Sequence, residues 1–331
     1  MTALGVVAAT VDCRAILGIE DDAPLLAPNM DGGDHADVPF DASRSDDGGD
    51  GGADGTSLLN IDRTEPQWLL PVASPPPSNY EVTDDTVLDK TTGLMWQRKI
   101  EGQPRQIWPE PPRVCAKLEL AGYHDWRLPT RIEMVSLFDF GEDAPAVNPV
   151  LFPAAPAYAL HWTISPYVVE RRTAARWATD PFTGWSWFYD EYTSSESLPF
   201  RCVRAGNVSN AQPRFTVLEG QATVRDARTG LVWERGTAPK QSFADAKHRC
   251  ESFRPPGYRL PNARELQTLI DETQTEVPIW YRVFDRAVQG TTTLWSSTYR
   301  RSHDGYILTD FVDGHSSPGW SNTVAGVRCV R

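Results

Sequence analysis

Three sets of side chains in this sequence are of types that could do chemistry: five cysteines, six histidines, and two clusters in which arginines alternate with aromatic residues. The cysteines are Cys13, Cys115, Cys202, Cys250 and Cys329. A thiolate can be a nucleophile or a metal ligand, whereas two thiols in an oxidising compartment become a disulfide. With Cys13 set aside the remainder is an even set of four, which could pair in three ways. Cys202 lies 87 residues after Cys115, and Cys329 lies 79 after Cys250. The histidines are His35, His124, His161, His248, His303 and His315, and no His-Glu-x-x-His, Cys-x-x-Cys or glycine-rich phosphate loop accompanies them. Asp310, Asp313 and His315 are weak evidence for a metal site at their spacing, so neither a metal nor a cofactor is expected.

The first arginine and aromatic cluster holds Arg171, Arg172, Arg176, Trp177, Trp185, Trp187, Tyr189 and Tyr192. The second holds Tyr299, Arg300, Arg301, His303, Asp304, Tyr306, Asp313, His315 and Trp320. Aromatic faces stack on the apolar face of a sugar ring, and arginines grip carboxylate or sulfate in a forked geometry. That combination suits a carbohydrate or acidic glycan. The alternative reading is that several of these aromatics pack a core rich in long loops, and that the paired arginines only keep the surface soluble. The candidate ligand-binding residues are Arg171, Arg172, Arg176, Trp177, Trp185, Trp187, Tyr299, Arg300, Arg301, His303, Tyr306 and Trp320.

The elements that must position these residues come in duplicate. Thr86-Val-Leu-Asp-Lys-Thr-Thr-Gly-Leu-Met-Trp-Gln-Arg98 is matched by Thr223-Val-Arg-Asp-Ala-Arg-Thr-Gly-Leu-Val-Trp-Glu-Arg235. Trp126-Arg-Leu-Pro-Thr-Arg-Ile-Glu133 is matched by Tyr258-Arg-Leu-Pro-Asn-Ala-Arg-Glu265. His161-Trp162-Thr163 corresponds to Leu294-Trp295-Ser296, Thr179-Asp180 to Thr309-Asp310, and Phe200-Arg-Cys-Val-Arg204 to Val327-Arg-Cys-Val-Arg331. Two tandem domains follow, 80–206 and 214–331. Each carries one cysteine in its first third and one near its end, so the economical pairing is Cys115–Cys202 and Cys250–Cys329. Each closure would remove roughly 4–5 kcal/mol of denatured-state entropy.

The blocks have a local physical reading. The Asp-x-x-Thr-Gly segments are tight turns between strands, with Asp bonding its own turn and Gly supplying positive φ. Val114–Ala121 and Phe243–Phe253 show helical spacing, the second with Ser242 as N-cap. Thr130 with Glu133 and Asn262 with Glu265 are capping boxes, so a further helix starts after each Arg-Leu-Pro. Trp96 and Trp233 read as core residues, and Arg127 and Arg259 as partners of Glu133 and Glu265. Two helices and several short antiparallel strands per copy make an α+β fold. No histidine recurs between copies, and cysteines held in disulfides cannot serve as nucleophiles, so enzyme activity is not expected.

The ordered set of blocks resembles the C-terminal domain family of the Legionella collagen-like adhesin, a bacterial domain of largely unassigned function that is often duplicated and exported. The resemblance covers residues 80–331. It implies two tandem C-type-lectin-like domains, a design shared with formylglycine-generating enzymes, and, by way of the adhesin, binding of sulfated glycosaminoglycans. Gly-X-Y repeats are absent, so the adhesin's trimeric stalk is not implied.

Upstream of the repeat the composition changes. The chain carries 32 Lys and Arg against 44 Asp and Glu, a net charge of −12. Residues 1–79 contain Arg14, Arg44 and Arg63 against 14 acidic residues, and so account for −11 of that total. The copies themselves carry −4 (80–206) and +3 (214–331). Overall acidity excludes a nucleic-acid binder with a strongly basic surface, but leaves room for an acidic glycan on the second copy. Residues 14–79, rich in Asp-Gly-Gly and then in proline, read as a disordered tether, since irregular spacing argues against a calcium repeat. Residues 1–13 read as the remnant of a lipoprotein signal, with an apolar run from Leu4 to Val11 and Cys13 as the lipidation site; the segment from Cys13 to Glu20 resembles the mature start of bacterial lipoproteins. No apolar run reaches the roughly 18 residues of a membrane-spanning helix, so the membrane is reached only through a lipid anchor.

The leading expectation is an exported outer-membrane lipoprotein, in the periplasm or at the cell surface, that displays both domains for binding a glycan or a surface protein. A structural or protein-binding envelope scaffold is the alternative, and an enzyme accessory of the formylglycine-generating kind is third.

Overall fold

A computed structural model describes residues 76–331 except 101, 142–145, 154–158, 170–171, 191–194, 206–213, 221, 273–282, 286–290, 313 and 321. All the described residues lie in one compact unit, Asp54–Arg331. The tether up to residue 75 and Cys13, with its expected lipidation, lie outside them, while the tether's last residues, Pro77–Asn79, form a short 3-10 helix.

Each copy opens on a meander built by its Asp-x-x-Thr-Gly turn. In the first, β1 (Tyr80–Val82), β2 (Thr86–Asp89) and β3 (Leu94–Gln97) run antiparallel. The Asp89 carboxylate accepts from Thr91 N at 2.9 Å and the Asp89 carbonyl from Gly93 N at 2.8 Å, while Gly93 takes φ +69°, which a side chain would oppose. The same turn recurs in the second copy, where Asp226 accepts from Arg228 N at 2.9 Å and Gly230 has φ +75°. Trp96 on β3 and its counterpart Trp233 are fully buried.

Next in copy one come α1 (Glu110–Ala116) and α2 (Arg131–Val135). The helix expected at Val114–Ala121 is displaced toward the N-terminus. Pro111 and Pro112 fit a first turn, where no amide partner is needed, and Ala121 and Gly122 adopt positive φ of 52° and 78°, outside helical space. Then β4 (His161–Val169), β5 (Arg172–Thr179) and β6 (Ser186–Asp190) form an antiparallel sheet in that order. The last strand, β7 (Val203–Ala205), returns to pair with β3.

Copy two repeats the plan with a larger second sheet. Its meander is β8 (Phe215–Val217), β9 (Thr223–Asp226) and β10 (Val232–Glu234), followed by β11 (Ala238–Gln241), α3 (Phe243–Ser252) and α4 (Ala263–Gln267). After these, β12 (Thr293–Arg300), β13 (Gly305–Asp310), β14 (Ser316–Pro318) and β15 (Ala325–Val327) join β11 in the order β11-β15-β12-β13-β14. The β12–β15 pair is parallel and the other pairs are antiparallel. The architecture is α+β, with few helices and several antiparallel sheets.

Both disulfides join the helix after the meander to the end of the copy. Cys115 on α1 bonds Cys202, and Cys250 on α3 bonds Cys329, with Cα–Cα distances of 5.5 and 5.3 Å. The Arg-Cys-Val-Arg block gains a further role that the sequence reading does not assign. Arg201 donates to the carbonyls of Gln97 and Arg98, and Arg328 to those of Glu234 and Arg235. Burial pushes these guanidinium groups down to about 9 and about 10.

The copies pack against one another through equivalent parts. Thr163 Oγ1 donates to the Trp177 carbonyl and Ser296 Oγ to the Ile307 carbonyl, each at 2.7 Å, so Trp177 and Ile307 occupy the same place in the two copies. Trp177 is buried in the core of copy two beside Ile270 and Phe311, whereas Ile307 is buried in the core of copy one beside Trp96 and Phe138. A reciprocal exchange of equivalent residues is the signature of a two-fold, isologous contact. Its closeness shows at Gly314, where an added Cβ would lie 2.7 Å from the Trp177 ring.

Candidate functional site

The residues shared by the two copies build structure. Both capping boxes form: the side chains of Thr130 and Asn262 accept from the amides of Glu133 and Glu265, whose carboxylates accept from the cap amides. Arg127 clamps Glu133 with two bonds of 2.7 and 2.6 Å, and Arg259 clamps Glu265 with 2.9 and 2.8 Å. Burial would raise the Glu133 carboxyl, but the Arg127 charge and the hydrogen bonds from Arg127 and Thr130 outweigh it and hold it below the usual glutamate range. His161, wholly buried on β4, is pushed down to about 3 by burial and by the Arg201 charge, so its imidazole is neutral. Among the described residues no group of three His, Cys, Asp or Glu side chains could hold a metal ion.

The candidate ligand residues separate into core and surface. Trp177 is buried between the copies. Arg176 is half-buried, donates to the Ile164 carbonyl at 3.0 Å and lies over the Trp108 ring. Arg300 is buried and donates to the Thr183 carbonyl of the other copy at 3.2 Å. These three therefore brace the fold: Arg176 and Trp177, consecutive on β5, do so from opposite faces of the strand, Arg176 over Trp108 of its own copy and Trp177 in the core of copy two. Half-buried Tyr189 packs edge-on against Trp162. Arg172 lies on β5, and Arg171, Tyr192 and Asp313 fall outside the described residues.

The surface residues form two patches at opposite ends of β13. At one end Tyr299 donates to Asp304 at 2.5 Å and lies edge-on to Tyr306, which stacks on Phe243. Exposed Trp320 tilts toward His303 at 6.4 Å, and Arg301 is exposed beside them.

At the other end the two copies contribute to one patch. The Asp180 amide donates to the Trp185 carbonyl at 2.7 Å and the Asp310 amide to the His315 carbonyl at 2.8 Å, so Trp185 and His315 end the same turn in each copy. The two rings touch at 5.1 Å, nearly at right angles. Beyond Trp185 the chain enters β6, where Ser186 is buried and Trp187 faces out. Trp185, just before β6, and Trp187, on it, are 49% and 53% exposed, and Phe188 stacks between Trp187 and Tyr167. His315 is the member that sequence reasoning left out of the ligand set. The aligned Thr179-Asp180 and Thr309-Asp310 pairs, extended five residues, would have matched it to Trp185.

The sequence pattern of the Lcl C-terminal domain matches twice, over residues 85–204 and 222–331. This chain belongs to the Lcl C-terminal domain family. The two matched segments fall within 80–206 and 214–331 and together cover more than half of the sequence, so the chain is a tandem duplication of the Lcl C-terminal domain. The match marks both copies as adhesin-related bacterial domains. No curated protein matches the chain.

Proposed function

We propose that this tandem Lcl C-terminal domain protein is an exported envelope protein that binds glycans, each copy being a C-type-lectin-like module. The observation that carries the reading is the face made by Trp185, Trp187 and His315, where two half-exposed indoles lie two residues apart at the entry to β6 and the first meets the imidazole of the other copy. Large aromatic planes exposed at a rigid edge offer the stacking surface that a sugar ring needs, and histidine adds a polar handle. Exposed Arg301 and His303 on the mildly basic second copy would favour an acidic glycan at the other patch. Two disulfides support export, because such bonds persist in oxidising compartments. Under this reading Cys13 carries the lipid anchor, which the mass of the mature N-terminus tests.

The deciding experiment is a glycan array with the full chain, followed by titration of the best ligand against the Trp185→Ala and Trp187→Ala variants. Each substitution is expected to weaken binding by at least about tenfold. A blank array, together with retention of a single envelope protein on immobilised chain, would replace the lectin reading with that of a scaffold.

A further inference from the structure

The contact between the copies is two-fold in shape but not in chemistry. The capping boxes align α2 with α4, so that Arg131 corresponds to Ala263, Val135 to Gln267 and Phe140 to Glu272. On one side of the seam Arg131, with no exposed surface, reaches into copy two. It donates from Nε to Glu272 Oε1, from Nη1 to the Gln267 side chain and from Nη2 to the Gln267 carbonyl at 3.1 Å. Gln267 in turn donates to the Gly314 carbonyl at 3.0 Å and to Ser316 Oγ at 2.8 Å, and the Trp177 ring covers the guanidinium. On the other side of the seam the same three positions are Ala263, Val135 and Phe140, all within one apolar cluster.

We infer that the α2–α4 face is a hetero-specific pairing surface, one that fits copy one to copy two and rejects like-with-like pairing. If two first copies met in this geometry, each Arg131 would be buried against Val135 and Phe140 with no carboxylate. If two second copies met, Glu272 would face Ala263 in the place where it now meets Arg131. An unpaired buried charge is among the most destabilising features an interface can hold, whereas a matched apolar set tolerates either partner. The chain therefore closes on itself instead of joining a neighbouring chain through this face. Buried Arg264 and Arg300 also cross between the copies, but to the carbonyls of Phe138 and Thr183, whereas Arg131 meets a carboxylate and so acts as the register device, much as one polar residue sets the partner in a coiled coil.

Full-length variants test this by thermal unfolding and by light scattering after unfolding and refolding at high concentration. Arg131→Ala should lower Tm by about 10 °C, since it strands Glu272 in the core. The triple variant Arg131→Ala/Gln267→Val/Glu272→Phe copies the apolar side of the seam onto the polar side. It should recover most of that loss and yet form several-fold more dimer than the wild type, because like-with-like pairing no longer buries a lone charge. Even if the single variant does not fold, the triple variant decides the matter. A Tm unchanged by Arg131→Ala, or a refolded triple variant with no more dimer than the wild type, would overturn the inference.

Discussion

Copy one and copy two share a hydrogen-bonding skeleton and differ in the charges that fill it. Gln97 and Glu234 hold the same place: each accepts from the amide of the disulfide cysteine near the end of its copy, Cys202 or Cys329, at 3.1 Å. The neutral Gln97 continues to Gln103, whereas the charged Glu234 is clamped by Arg249. At the turns, Asp89 accepts from Asn79 at 2.7 Å, and Asp226 from Arg214 at 3.1 and 2.9 Å. The geometry requires an acceptor at each of these points. At Gln97 and Glu234 the acceptor's charge changes and its partner changes with it, while at the turns the carboxylate stays and its donor changes from an amide to a guanidinium, so every buried acceptor keeps a hydrogen-bond partner. The same kind of exchange, used at the seam, makes the copies complementary to each other.

The largest expected effect tests how similar the copies are. Replacing Cys115 and Cys202 together by serine, or Cys250 and Cys329 together, should each cost about 4–5 kcal/mol in denaturant unfolding, because the cysteine separations of 87 and 79 residues close loops of nearly equal entropy. A difference beyond about 2 kcal/mol between the two would mean that one copy retains structure in the unfolded chain and that the equivalence is superficial.

Next in size are the residues exchanged across the seam. Trp177→Ala should cost about 3–5 kcal/mol and Ile307→Ala about 2–5 kcal/mol. Hydrogen exchange would show the more telling outcome, with the loss of protection crossing over: Trp177→Ala should expose amides around Leu294 in copy two, and Ile307→Ala those around Trp96 in copy one. Loss confined to the mutated copy would show that the cores are independent.

The smallest effect sharpens a difference between equivalent ion pairs. The side chain of Arg127 is 14% exposed and that of Arg259 is 36%, while both partner carboxylates are buried. Arg127→Ala should therefore cost about 3 kcal/mol at neutral pH and Arg259→Ala about 1–2 kcal/mol, solvent screening the more open pair. Because the folded Glu133 carboxyl sits below its ordinary value, its contribution is complete above the usual glutamate range and fades as pH falls through the lowered value. The deficit of Arg127→Ala should accordingly shrink in urea unfolding between pH 7 and strongly acidic pH, and an equal deficit throughout would mean that Arg127 acts by packing alone.

Local signals were readable wherever a few neighbouring residues decide the outcome. The capping boxes, the Ser242 cap and the Asp-Gly turns depend on contacts three or four residues apart, and each forms as its sequence suggests. The first helix did not follow its apolar spacing, because Pro111 and Pro112 set its start and the positive φ at Ala121 and Gly122 closes the region beyond it. The candidate site was legible only in part. Trp185 and Trp187 are exposed as a ligand face requires, while Trp177 and Arg300, of the same residue types, are buried. Composition does not distinguish these cases, since an indole suits a core as well as a sugar, and only strand register decides which side of the sheet it faces.

Sequence alone determined the duplication, the assignment of each cysteine pair to one copy, and the α+β elements, because repeats, spacing and short-range caps are written in consecutive residues. Tertiary structure alone decided that the two copies make one compact unit, that Trp185 meets its own equivalent His315, and that Arg131 finds Glu272. Those outcomes join residues more than a hundred positions apart, and they depend on which faces two folded copies can bury together without leaving a charge unpaired.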